Sequence, residues 1–133
     1  MDATGALADL AEISSQIEQA VVFEEDGSAL AWTPGDETRA QQLATTAVEL
    51  LAAAEEARSG GVHALTQLEV ALREGSVFVV REEGRSIVAT AAAGAPSGLV
   101  LYDLRTCLRS IEVGAADEAT GGRSTRRRTT ADA

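Results

Sequence analysis

The sequence lacks several residue types on which common enzyme chemistries depend. Its 133 residues include no lysine, one histidine, one cysteine and four aromatic residues. Without lysine there is no phosphate-binding loop of the G-x-x-x-x-G-K-[ST] type, no Schiff-base enzyme and no Ser-Lys catalytic pair. With only His63 and Cys107, a disulfide framework and a Cys/His zinc cluster are also excluded. We therefore predict no catalytic residues, no metal and no cofactor, and expect that the protein is not an enzyme.

Positive charge is also scarce, and long apolar runs are absent. Eleven arginines face 21 carboxylates, so the formal net charge is −10. Nucleic-acid phosphates require clustered basic side chains, and residues 1–113 carry seven arginines against eighteen carboxylates. No apolar run reaches the roughly 18 to 20 residues of a membrane span, and the acidic start is unlike a signal peptide. We expect a cytoplasmic protein that neither binds nucleic acid nor inserts into a membrane.

Hydrophobic periodicity predicts three helices and five strands. Asp26-Gly27 between two β-rich runs favours a tight hairpin. Asp36 or Thr38 can accept hydrogen bonds from the first free amides of the middle helix. The predicted order is α-β-β-α-β-β-β-α, with helices over residues 5–17 and 37–58, strands over 18–24, 29–33, 62–72, 76–81 and 86–92, and a last helix that opens after 94–98 and ends at 111.

The chain divides into a domain and a tail by composition. Residues 1–113 are expected to form one domain, whereas residues 114–133 have almost nothing to bury and are predicted to be disordered. The tail holds the basic cluster Arg126-Arg127-Arg128, followed by Thr129 and Thr130. Three interpretations of this cluster stay open: a solvated tail, an electrostatic handle for an acidic partner or membrane surface, and a phosphorylation site.

Several short stretches, together with the element order, carry a likeness to a known family. The stretches are Val21-Val22-Phe23 before Asp26-Gly27, the helix 39–57, Gly75-Ser76-Val77-Phe78-Val79-Val80, Ile87-Val88-Ala89 and Pro96-x-Gly98-Leu99. With these stretches, residues 7–111 resemble the roadblock / dynein light-chain family. The resemblance implies an α+β fold with a five-stranded antiparallel sheet of order 2-1-5-4-3, the first and last helices on one face and the middle helix on the other.

The same resemblance implies how the protein works. It implies a homodimer in which the two middle helices pack antiparallel and the third strands pair edge to edge. Bacterial members of the family act beside small Ras-like GTPases as regulators or scaffolds, so the resemblance implies a contact surface and no catalytic residue. Two alternatives stay open: a structural adaptor subunit without a GTPase, and a small ligand-sensing module, although strands rich in alanine and valine leave little room for a pocket.

The middle helix predicts the contact between subunits. Its apolar arc spans roughly 180°, whereas a helix lying on one sheet needs about 100°. Ala44, Val48 and Leu51 form the extra stripe and are predicted to meet the helix of a second copy, with burial inside the monomer as the alternative. The neighbouring stripe consists of Leu43, Ala47, Leu50 and Ala54.

Two further sets of residues complete the predicted surface. Leu65, Gln67 and Glu69 lie on the third strand, whose long edge invites pairing with a second copy unless polar residues or a loop cover it. On the polar face of the middle helix, Arg39, Gln42, Thr46 and Glu49 are predicted to bind the GTPase. The alternative for these four is a solvated face.

Cysteine and tryptophan each occur once in the chain, and each leads to its own expectation. Cys107 lies on the apolar stripe of the last helix and is expected to be a small buried hydrophobe. Trp32 ends the second strand, where both an interface and a core role stay open.

Overall fold

Three helices and five strands follow one another in the predicted order. The computed structural model describes residues 1–57 and 66–111. Its helices are α1 (Ala3–Ile13), α2 (Glu37–Ala57) and α3 (Ser97–Ser110), and its strands are β1 (Ile17–Glu24), β2 (Ala29–Thr33), β3 (Gln67–Ala71), β4 (Gly75–Glu82) and β5 (Arg85–Ala92).

The strands form one antiparallel sheet of order β2-β1-β5-β4-β3, which confirms the order implied by the resemblance. The central strands β1 and β5 are joined in a register that sets Val21 opposite Val88. Their partners β2 and β4 follow through tight turns, and β3 is an edge strand. Both faces of the two central strands are therefore available for helix packing.

The core consists of two layers, one on each face of the sheet. Successive strand residues point to opposite faces, so Val22 packs with α1 and α3 whereas Val21 and Phe23 pack beneath α2. This confirms the predicted division of the helices between the two faces. The residues of α2 that lie on the sheet are Ala40, Ala44, Ala47 and Leu51, and their mostly small side chains let the helix approach the strands closely.

Local hydrogen bonds explain why these elements begin and turn where they do. The Asp36 carboxylate accepts a bond from the Arg39 N–H at 2.9 Å, which confirms the predicted cap of α2. At the β1–β2 turn, the Asp26 carboxylate accepts from the Ser28 N–H at 2.9 Å, and this bond lowers the pKa of Asp26. Gly27 follows with a φ of +93°, a conformation that favours glycine.

Two predicted boundaries are wrong. The first helix ends at Ile13, because the Ser14 N–H closes it onto the Leu10 carbonyl, and Ile17 instead begins β1 opposite Ala91. The third strand ends one residue earlier than predicted: β3 covers Gln67–Ala71, and Leu72 already belongs to the turn, where its N–H donates to the Gly75 carbonyl at 2.7 Å.

Some predictions fall on parts of the chain outside the described residues. These are Leu65, the start of the predicted third strand and the tail, which lie within 58–65 and 112–133. Within the residues that are described, no helix is long and apolar enough to cross a membrane.

Candidate interaction surface

The predicted partner-binding residues form one exposed strip along α2. Arg39, Gln42, Thr46 and Glu49 follow one another at intervals of three and four residues, so they share a helix face. All four are exposed, because the opposite face of α2, with Ala40 and Ala47, is buried on the sheet. The strip combines one positive, one negative and two neutral polar groups, which suits recognition of a polar protein surface.

The sheet beside α2 leaves apolar side chains partly open. Helix α2 packs over β1, β2 and β5, so β3 and β4 lie at its side. Leu68 and Val77 pack against the edge of the core and are half-buried, and Val70 lies opposite Val77 on the same face. We refer to Leu68, Val70 and Val77 as the open sheet face.

The structure corrects the predicted helix contact. Ala44 and Leu51 are 0% and 4% exposed, so they are covered by the chain's own sheet and have no surface left for a second copy. The stripe of α2 that contacts the sheet is rotated from the predicted one. Its centre consists mostly of alanine, whose small side chain gives only a weak hydrophobic periodicity in the sequence. For Ala44 and Leu51 the alternative, burial inside the monomer, is the correct one.

The two flanks of α2 face different ends of the strands. Half-buried Val48 lies on the flank near the β1–β2 turn, since its Cγ2 atom is 3.4 Å from where a Cβ on Gly27 would lie. Leu43 and Leu50 are also half-buried, and helical spacing puts them on the opposite flank. We refer to Leu43 and Leu50 as the leucine flank.

The edge strand β3 carries the remaining predicted interface residues. Gln67 and Glu69 are exposed, and their side chains reach α3 on the other face of the sheet. The Arg105 guanidinium donates to the Gln67 amide oxygen, and the Ser97 hydroxyl donates to the Glu69 carboxylate at 2.6 Å. Because these bonds occupy the side chains only, β3 offers its backbone as the outer edge of the described sheet.

Solved structures share this architecture at low sequence identity. A roadblock/LC7 domain from Streptomyces avermitilis matches with a TM-score of 0.74 at 20% identity, over 83% of this chain and 94% of that one. The gliding protein MglB from Thermus thermophilus matches with 0.66 at 17%, over 79% and 82%. MglB of Myxococcus xanthus matches with 0.67 at 12%, over 79% and 87%. The chain has the roadblock/LC7 fold. No family model and no curated protein matches the sequence.

This roadblock fold contains a cavity that the sequence did not predict. A space of about 810 Å³ lies between α2 and the β4–β5 turn, lined in part by Phe23, Val48 and Ser86. The Ser86 hydroxyl is buried there and has no hydrogen-bond partner among the residues described. At the mouth, Arg81 and Glu55 form an ion pair. The expectation of little room was based on small side chains, whereas this cavity lies between α2 and the β4–β5 turn, and periodicity does not reveal how those elements are placed.

Cys107 is buried between α1 and α3, as predicted. Its side chain is 5% exposed. Burial, with a smaller contribution from the Asp9 carboxylate, raises the pKa of the thiol to about 11. The thiol is therefore neutral near pH 7 and behaves as a small apolar group.

This raised pKa predicts a loss of stability at high pH. An exposed thiol in the unfolded chain ionises near pH 8.5, whereas folded Cys107 keeps its proton to about pH 11. Between these values the folded chain binds more protons, so its free energy of unfolding falls as the pH rises, by up to about 3 kcal/mol. Urea titrations of wild type and Cys107→Ala between pH 7 and 10.5 measure this. The wild type should lose more stability than the variant, and parallel pH profiles would contradict the prediction.

Proposed function

We propose that this protein is a non-catalytic, cytoplasmic homodimer that regulates or positions a small Ras-like GTPase through its paired α2 helices. The observation that carries the proposal is the open sheet face beside an exposed polar strip on α2. The choice of a small GTPase as the partner is based on the family resemblance of the sequence. The roadblock fold of the chain supports that resemblance.

The second copy is the partner that fits the open sheet face. In the described sheet no strand lies beyond β3, so the N–H and C=O groups on its outer side can pair with the same strand of another copy across a two-fold axis. Such pairing continues the sheet and brings the second α2 over the open sheet face. The leucine flank then meets its own counterpart, which removes half-buried apolar surface from water.

The helix contact in this proposal differs from the one predicted by periodicity. It uses Leu43 and Leu50 together with the backbone of β3 near Gln67 and Glu69. Val48 lies on the other flank of α2, so whether Val48 or Leu50 faces the second copy separates the two versions of the interface.

Dimerisation also explains why the polar strip suits a partner. Two copies of α2 side by side double the strip of Arg39, Gln42, Thr46 and Glu49 and make one continuous surface. A GTPase bound across both helices would contact both copies, so its affinity would depend on the dimer. Any effect on nucleotide hydrolysis would then act through repositioning of the GTPase's own residues.

Charge reversal on the strip tests the proposed GTPase contact. The small Ras-like GTPases of the source organism, each loaded with GDP or a non-hydrolysable GTP analogue, are titrated with the protein. We expect Glu49→Arg to weaken binding of one GTPase by about tenfold or more, since reversal of an interface charge creates repulsion. Glu18→Arg is the matched control, because Glu18 is an exposed glutamate on β1 away from the strip. Equal affinities for both variants would overturn the assigned contact.

One observation favours a second candidate, the ligand-sensing module. The buried, unpartnered Ser86 hydroxyl lies in the cavity beneath α2, where a small polar ligand would supply the hydrogen bond that the described residues do not. Native mass spectrometry of the purified protein distinguishes the two candidate functions. A small molecule that is bound to the wild type and lost in Ser86→Ala favours ligand sensing, and a protein without a bound molecule favours the GTPase regulator.

A further inference from the structure

The outer groove between α1 and α3 gathers negative charge. Its volume is about 340 Å³, and the acidic side chains that line it are those of Asp9, Glu12 and Asp103. Ile13 and Cys107 form part of its apolar wall. Among the described residues no arginine lines the groove, although seven arginines occur in residues 1–113. The groove therefore presents carboxylates next to apolar surface.

Asp103 distinguishes this groove from an ordinary solvated acidic cluster. It is 8% exposed and has no hydrogen bond or ion pair to any other described residue. Two half-buried carboxylates elsewhere in the domain do have arginine partners: Glu82 bonds to Arg109 at 2.9 Å, and Glu55 pairs with Arg81. Because no described residue donates to the Asp103 carboxylate, a guanidinium that supplies two N–H donors would be a fitting partner for it.

We propose that the chain's own basic cluster, Arg126-Arg127-Arg128, docks in this groove. The groove supplies three carboxylates, and the cluster supplies three adjacent guanidinium groups, so the charges are complementary. The cluster also contains most of the arginine outside the domain, where four arginines occur in residues 114–133.

The length of chain after α3 makes this contact accessible. Arg126 follows Ile111 by fifteen residues. In general, a flexible chain of fifteen residues has an average end-to-end distance of roughly 20 Å. Asp103 lies eight residues before Ile111 along α3, which corresponds to roughly 12 Å of helix. Because the two distances are comparable, the tethered arginines are held at a high effective concentration near the groove.

Cys107 reports on the groove, because it is the only thiol in the chain and lines the groove wall. Its alkylation rate is measured in the full chain at pH 8.5 and low salt. We expect the triple variant Arg126→Ala, Arg127→Ala, Arg128→Ala to react about three to ten times faster than wild type, which corresponds to the loss of two or three modest ion pairs. At 0.5 M NaCl the two rates should converge, since salt screens the same contacts.

A double-mutant cycle separates docking from a change in the groove itself. Asp103→Asn should raise the rate in the wild-type background and have no further effect in the triple-arginine variant. Additive effects of the two changes would overturn the proposal, as would an unchanged rate in the triple variant. A wild-type rate that increases on dilution would also overturn it, because the arginines would then come from a second copy.

Discussion

Phe78→Ala is expected to lower the free energy of unfolding by about 3–5 kcal/mol, the usual cost of removing a buried phenylalanine. Phe78 is 0% exposed on β4 and packs with Leu7 and Leu104 between the sheet and the helices α1 and α3. The chain has only two phenylalanines, and no other large ring among the described residues lies in this layer to fill the space. Small domains have a total stability of about 5–15 kcal/mol, so the variant should be close to unfolding. Urea unfolding followed by circular dichroism measures the loss.

Tyr102→Ala is the matched control for this prediction. Tyr102 is also aromatic but is 63% exposed on α3. Its removal should change the free energy of unfolding by no more than about 0.5 kcal/mol. Similar losses in the two variants, or a loss below about 1 kcal/mol for Phe78→Ala, would mean that the described core is wrong.

Leu50→Asp is expected to convert the proposed dimer into folded monomers. In the proposed interface Leu50 meets its counterpart at the centre of the paired helices, where an unpaired carboxylate would be desolvated in both copies. We expect the dimer dissociation constant to rise by about 100-fold or more, in line with central interface positions. Sedimentation velocity over a range of concentrations measures the shift, and a retained thermal unfolding transition shows that the monomers are folded.

Val48→Asp provides the control on the same helix. Val48 is half-buried like Leu50 but lies on the flank near the β1–β2 turn. It should leave the dimer intact at the same concentrations. If Val48→Asp separates the subunits and Leu50→Asp does not, the interface uses the flank predicted from periodicity, and the leucine flank is wrong.

The sequence predicts best those features that local chemistry determines. The bounds of β2 and the start of α2 agree with the structure, because Asp26-Gly27 and the Asp36 cap are signals that act within a few residues. The sheet order, by contrast, came from the family resemblance, since no local pattern specifies which strands become neighbours.

The sequence predicts poorly those features that depend on how elements pack. Ile17 continues the spacing of the first helix, yet its place opposite Ala91 is decided by the sheet. Ala40, Ala44 and Ala47 contact the strands because they are small. Small side chains give a weak hydrophobic periodicity, so the predicted contact stripe of α2 is rotated from the observed one. The sequence pattern also did not predict that Asp103 is buried, because its burial depends on α1 lying beside α3.

The mass of the protein with a loaded GTPase, measured by light scattering after gel filtration, tests the central proposal most directly. We predict that the full chain elutes at twice its mass of 13.7 kDa and gains the mass of a small Ras-like GTPase in one nucleotide state only. A mass of one chain, or a dimer to which no small GTPase of the source organism binds in either nucleotide state, would contradict the proposal.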